Sequence, residues 1–200
     1  PMSVMVATGR GAQAGVLVQD ASALEALARV DMLIVDKTGT LTEGRPVLDQ
    51  VVADNGVDEG WVLALAAALE RRSAHPLARA ILDGAKARNA RTLDVVGFRS
   101  VTGQGLTGVL RGNRVALGNA AMMDELSIPV SDAFAALQAD HAAKARTAMF
   151  VAEGGKIMGL VAGTDPVKAG ARSAVEALRA EGLAIVMATG YAQLTADAFG

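Results

Sequence analysis

The chain has 200 residues, 52% of them hydrophobic, and its 19 Lys and Arg against 21 Asp and Glu leave a formal charge of −2. That near-neutral balance argues against a nucleic-acid partner, because gripping a phosphate backbone needs a clear excess of cations. Zero cysteines exclude disulfides and thiolate metal sites, and no apolar run approaches the roughly 20 residues that span a bilayer. The chain opens at Pro1 without an initiator Met or secretory signal, and reads as a soluble piece of a larger protein.

Residues 1–30 are rich in Ala and Gly, with a helix expected over 21–30, capped by Asp20 or Ser22. Residues 33–35 form a continuous apolar run, as in a parallel strand covered on both faces. That strand delivers Asp36 beyond its carboxyl end, where reactive groups sit in such sheets. From Pro46 the pattern changes. A strand over 47–52 precedes helices over 58–71 and 75–88, the first with a buried apolar run at 61–69. Short strands follow near 95–98, 106–111 and 114–117, separated by turn glycines at 103, 105, 108, 112 and 118. A helix over 131–145 leads to strands over 148–152 and 157–162, joined by the hairpin signal Gly154-Gly155. This middle part reads as an α+β module, an antiparallel sheet carrying helices. Asp165 and Pro166 then read as the cap and first turn of a helix to residue 181, which Gly182 ends. Residues 183–188, LAIVMA, read as a second buried parallel strand that delivers Thr189 and Gly190 to the edge holding Asp36.

The run DKTGTLTEG at 36–44 carries most of the chemistry. A carboxylate at Asp36 is placed to attack a phosphoryl group in line, with Lys37 adding positive charge. Gly39 allows a tight turn that brings backbone N–H groups toward phosphate oxygens, and Thr38 and Thr40 offer hydroxyl donors. A plain turn after a buried strand, with Asp36 as a helix cap, would use the same residues.

DKTGTLTEG resembles the phosphorylation motif of the P-type ATPases, and PMSVMVATGRGAQAGVL at 1–17 resembles the segment that follows the metal-binding membrane helix in their heavy-metal-transporting branch. The resemblance covers nearly the whole chain and weakens after Gly190. It implies an α/β haloacid-dehalogenase-like fold: a doubly wound parallel sheet, the phosphorylation domain, here incomplete, with an inserted α+β antiparallel-sheet nucleotide-binding domain. Residues 1–45 would hold the end of the membrane-helix extension and the first part of the phosphorylation domain. Residues 46–160 would be the inserted domain, and 161–200 the return.

The resemblance also implies roles. Asp36 would take the terminal phosphoryl group of ATP, with Lys37, Thr38, Thr189 and Gly190 around it and Mg2+ held at Asp36 and Thr38. Glu70, His75, Gly103, Gly105, Gly118 and Asn119 stand in the order that the branch uses to hold adenine. His75 would stack on the purine, Glu70 would accept from its exocyclic amine, and glycines at 103 and 105 would clear space for the base. Taken singly, such a His is ordinarily structural and such glycines are ordinarily turns. Asp165, in a DPxK stretch with Lys168, would position the hinge and nucleotide, or else simply cap a helix. The basic run Arg71, Arg72, Arg79, Lys86, Arg88 and Arg91 reads as a solvated helix face. Two departures stand out: Ala74 where the family has Glu, and Tyr191 where it has Asp.

On this resemblance the segment is the cytosolic catalytic portion of a bacterial membrane pump, lying on the cytoplasmic side and soluble when isolated. Its transported cation, copper or silver, would be bound only by the membrane part, and its partners would be ATP and the pump's remaining domains. The chain stops before the family's phosphate-contacting lysine and its GDGxND stretch, so these 200 residues are expected to bind nucleotide but turn it over poorly. Two other readings use the same residues: a phosphatase of the same fold, and a nucleotide-binding module without turnover. The phosphatase would place an acid two residues after the nucleophile, where this chain has Thr38, which does no proton transfer at neutral pH.

Overall fold

The computed structural model describes residues 2–73 and 75–188, which form two compact units: residues 2–35 with 169–188, and the described residues of 36–168. The first unit opens with α1 (Met2–Gln13). Gly9 and Gly11 lie inside it, each at a cost of about 1 kcal/mol relative to Ala. It closes in a Schellman motif: Gly15, at φ +81, donates to Ala12 O at 3.0 Å, and Val16 N–H donates to Gly11 O at 2.8 Å. Helix α2 (Ala21–Leu27) stops three residues short of expectation. Its cap is Asp20, which accepts from Ser22 N–H at 2.9 Å and Ser22 Oγ at 2.6 Å. Those bonds from Ser22 hold the Asp20 carboxyl below the usual range. Strand β1 (Met32–Asp36) follows.

The second unit is built on a six-stranded antiparallel sheet. Its strands are β2 (Val47–Ala53), β3 (Val96–Val101), β4 (Gly105–Leu110), β5 (Asn113–Gly118), β6 (Thr147–Glu153) and β7 (Lys156–Thr164), in the order β2-β7-β6-β5-β4-β3. Two tight hairpins, Arg111-Gly112 and Gly154-Gly155, place both central residues at positive φ, the twist that suits antiparallel strands.

Helices cover both faces. Side chains of Val115, Leu117, Met149, Val151 and Val161 pack with α3 (Glu59–Glu70) and α4 (Pro76–Ala87). The alternate residues Ala116, Phe150, Ala152, Leu160 and Ala162 pack with α5 (Ala120–Glu125) and α6 (Asp132–Ala143). The period of two along each strand thus feeds two cores, and that is why β6 and β7 read as continuous apolar runs. Helix α3 is held at its start by Asp58, whose Oδ1 accepts from Trp61 N–H at 3.0 Å, and its residues 62–66 are all buried. Each Leu buried this fully contributes about 1.5–3 kcal/mol. The six basic residues from Arg71 to Arg91 are all exposed, as expected of a solvated face.

The return to the first unit corrects an expectation. Helix α7 (Ala171–Ala180) starts at residue 171, not at Pro166, and Asp165 caps nothing. Its carboxylate is engaged elsewhere: Oδ2 accepts from Thr42 Oγ1 at 2.5 Å and Oδ1 from Arg45 N–H at 3.1 Å. Residues 165–168 stay extended because Thr42 bridges Val167, Glu43 N–H donates to Pro166 O, and Lys168 N–H donates to Leu41 O. Gly182, at φ +89, ends α7 as expected. Strand β8 (Ala184–Ala188) then pairs with β1, and Ala184 N–H donates to Asp31 O at 2.8 Å. Both strands were expected to be buried on two faces. Instead Ile34 is 67% exposed and no described residue of this unit is buried, because among the described residues the sheet has only these two strands.

Candidate functional site

A cleft of about 900 Å3 lies within the second unit. Its lining draws on Lys37, the end of α3, the start of α4, the β3–β4 turn, Asn119 before α5, and the alanine-rich side of α6. Glu70, His75, Gly103, Gly105 and Asn119 therefore share one cavity, and Ser73 and Gln104 join them.

Glu70 is the last residue of α3 and 1% exposed, and neither carboxylate oxygen has a well-formed hydrogen bond among the described residues. Burial pushes its carboxyl above the ordinary 4.5, with Ser73 on the next turn offsetting this in part. The negative end of the helix dipole adds to the penalty on a charge there. A raised pKa means that the empty fold is most favoured below about pH 4.5 and loses stability as pH rises through the folded value. Glu70→Gln is thus expected to raise the melting temperature at pH 7 by about 2–4 °C, equivalent to about 1 kcal/mol. Melting curves at pH 4 and 7 check this, and the stability gain vanishes at pH 4.

His75 caps α4. Its Nδ1 accepts from Leu77 N–H at 3.2 Å, which assigns the ring proton to Nε2, and Pro76 occupies the first turn. Burial lowers the imidazole below its ordinary 6.5. The cap is fully in place above that pH and is lost as pH falls through the folded value. A neutral ring thus lines the cleft, which suits stacking on a base.

The glycines divide the labour differently from expectation. A Cβ on Gly103, at φ +74, would meet nothing within 4 Å, so this glycine serves the turn and leaves the cleft open. Gly105, at φ +149, pairs with Gly118, and a Cβ on it would lie 2.2 Å from Leu117 O. Gly118 is not on the lining; a Cβ there would strike Gln104 O and Met122 Sδ, both at 2.6 Å. Asn119 locks the junction by donating from Nδ2 to Gly103 O at 2.8 Å and from its N–H to Gln104 O at 2.9 Å. Its Oδ1 accepts from Met122 N–H at 3.2 Å and caps α5.

Asp36 sits exposed at the end of β1 and makes no capping hydrogen bond, which removes the helix-cap alternative. The chain turns at Gly39, φ +78, and Thr42 Oγ1 accepts from Gly39 N–H at 3.1 Å while donating to Asp165. Lys168 Nζ donates to Gly39 O at 2.7 Å. Asp165 and Lys168 therefore brace the 37–42 loop and do not line the cleft. Thr38 is exposed beside Asp36, and Lys37 reaches the cleft. Thr189, Gly190 and Tyr191, together with Ala74, lie outside the described residues. Thr42, buried and central to the brace, was missed from sequence because its partner is 123 residues away.

The protein-family comparison matches residues 30–200 to the haloacid dehalogenase-like hydrolases. A copper-transporting P-type ATPase of Rhizobium leguminosarum bv. viciae is 49% identical over 201 residues, covering 99% of this chain and 23% of that protein. A silver-exporting P-type ATPase of Salmonella typhimurium is 44% identical over 198 residues, covering 99% and 24%. The chain thus spans about a quarter of the length of these relatives. Among solved structures, a zinc-transporting PIB-type ATPase in its E2.Pi state superposes with a TM-score of 0.75 at 31% identity, covering 98% of this chain and 31% of that one. The fold, the DKTGTLTEG loop and these likenesses agree: the chain belongs to the haloacid dehalogenase-like hydrolases, and over nearly its whole length it is similar to one part of metal-transporting P-type ATPases.

Proposed function

We propose that this segment is the cytosolic catalytic portion of an ATP-driven heavy-metal pump, with copper as the transported ion, and that Asp36 accepts the terminal phosphoryl group of ATP. In this reading residues 46–160 are the inserted nucleotide-binding domain, and 1–45 and 161–200 belong to the phosphorylation domain. One observation carries it: Lys37, the residue after Asp36, lines the same cleft as Glu70 and His75. A nucleotide with its base at Glu70 and His75 would have its phosphates extend toward Lys37 and the carboxylate beside it. Glu70 accepts from the exocyclic amine, the neutral His75 ring stacks, and Asn119 with Gly103 and Gly105 shapes the wall.

The donor set fits Mg2+ on the phosphates. Asp36 offers one exposed carboxylate with Thr38 two residues on, and the described residues hold no group of three or more His, Cys, Asp or Glu that could cage a metal. That suits a hard cation held by one or two carboxylates and completed by phosphate oxygens. When bound there, Mg2+ neutralises charge on the transferring group. Thr38 in place of an acid gives the aspartyl phosphate no general base, so this acyl phosphate lasts, as a transport cycle needs. Thr189 and Gly190 are assigned to phosphate binding by the motif they match. No described helix is long and apolar enough to cross a membrane, and the ion ligands are assigned to the parent pump's membrane part.

Acid-quenched labelling with γ-phosphate-labelled ATP tests this on the parent pump in membranes. A hydroxylamine-sensitive adduct is expected. Rapid hydrolysis of small phosphoesters would instead indicate a phosphatase, and binding without an adduct a module that only holds nucleotide.

A further inference from the structure

Glu70 accounts for one set of unpaired acceptors in the cleft, but there is another. Gln104 lines the same cavity, and its Oε1 is shielded from solvent and has no hydrogen-bond partner among the described residues. Its backbone is tied down on both sides. Gln104 N–H donates to Val101 O at 3.1 Å, its carbonyl accepts from Asn119 N–H at 2.9 Å, and Gly118 packs against that carbonyl so closely that no Cβ fits. Gly103 and Gly105 flank it at φ +74 and +149. Every polar backbone atom of residue 104 is thus engaged, and only the side-chain amide is left to meet a ligand. A shielded acceptor without a donor is costly to the empty fold, so the ligand that fills this cavity is one that brings donors.

We propose that Gln104 is a specificity-determining residue that reads the nucleobase together with Glu70, each accepting one hydrogen of a purine 6-amino group. This rests on the nucleotide reading above and deepens it, because Gln104 then sets which purine is held. A 6-oxo purine puts an acceptor where the amine would be, facing the Glu70 carboxylate and the Gln104 carbonyl together. With the amide turned as it stands, it is met by two acceptors and gains neither hydrogen bond. The clamp built from Gly105, Gly118 and Asn119 becomes the device that aims this amide, and the middle position of the Gly103-Gln104-Gly105 turn carries the discrimination.

Equilibrium binding of ATP and inosine triphosphate to the full 200-residue chain tests the proposal in wild type, Gln104→Met and Gln104→Leu. Met keeps length and flexibility but offers no oxygen. Wild type is expected to prefer ATP, and either variant to lower the ratio of ATP to inosine triphosphate affinity by roughly 3- to 10-fold, the equivalent of one net hydrogen bond. Inosine triphosphate affinity should stay level or rise. Melting temperatures at or slightly above wild type show that the clamp is intact, as expected when an unpaired buried acceptor is removed and only the side chain beyond Cβ is altered. If both nucleotides weaken by the same factor in the folded variants, or neither changes, Gln104 does not read the base. If wild type binds ATP but shows no preference over inosine triphosphate, the assignment also fails while the nucleotide reading stands. Binding of neither by wild type overturns both.

Discussion

Asp36→Asn is expected to abolish the acid-stable phosphoprotein, a loss of at least about 10³-fold in labelling, while leaving ATP affinity within about twofold of wild type. The amide has nearly the shape of the carboxylate but no anionic oxygen to attack phosphorus. Structural disturbance does not confuse the result, because Asp36 is exposed and makes no capping bond, and the groups assigned to the base stand on α3, α4 and the β3–β4 turn. Labelling that survives in Asp36→Asn would mean another nucleophile, and the proposed chemistry would have to be withdrawn. A matched loss of ATP binding would show that the phosphate end, not the base end, anchors the nucleotide.

Gly105→Ala is expected to destabilise the second unit by roughly 3–5 kcal/mol, lowering its melting temperature by about 10 °C, and to abolish nucleotide binding with it. The added Cβ meets backbone, namely Leu117 O at 2.2 Å and Gly118 Cα at 2.5 Å, and backbone in a paired strand does not swing aside as a side chain would. The φ of +149 adds strain for any residue with a Cβ. Gly103→Ala is the informative control. It has a positive φ too, but its Cβ would meet open space, so the expected cost is about 1–2 kcal/mol. Circular-dichroism melts of the two variants separate collision from conformational strain. Equal costs would refute the collision argument.

Much of the second unit is legible in the chain because local signals and tertiary packing agree there. Asp58, His75 and Ser131 each precede an apolar helical run and each caps the helix expected. Helix α5 escapes the reading because six residues are too few to show a period, although Asn119 marks its start. Helix α1 escapes because Gly9 and Gly11 break up its pattern. Asp165-Pro166 misleads for a different reason: locally the pair is a good helix start, but a short bond from Thr42 and one from Arg45 claim the carboxylate. A contact between residues so far apart in sequence leaves no local trace. At the cleft, the residue types are legible and their division of labour is not. Which glycine serves the turn and which the strand contact depends on register, and register between β4 and β5 is settled only when Gly105 meets Gly118.

Thr42 and Val167, close to where the polypeptide enters and leaves the second unit, are bridge partners, about 5 Å apart as strand neighbours are. A segment with neighbouring ends is a cassette. It can be lifted out and spliced into a surface loop of another host, or its ends joined and new termini opened at the Gly154-Gly155 tip, because closing so small a gap costs little chain entropy. Portability is therefore a property of two backbone neighbours, and needs no flexible tether at either end.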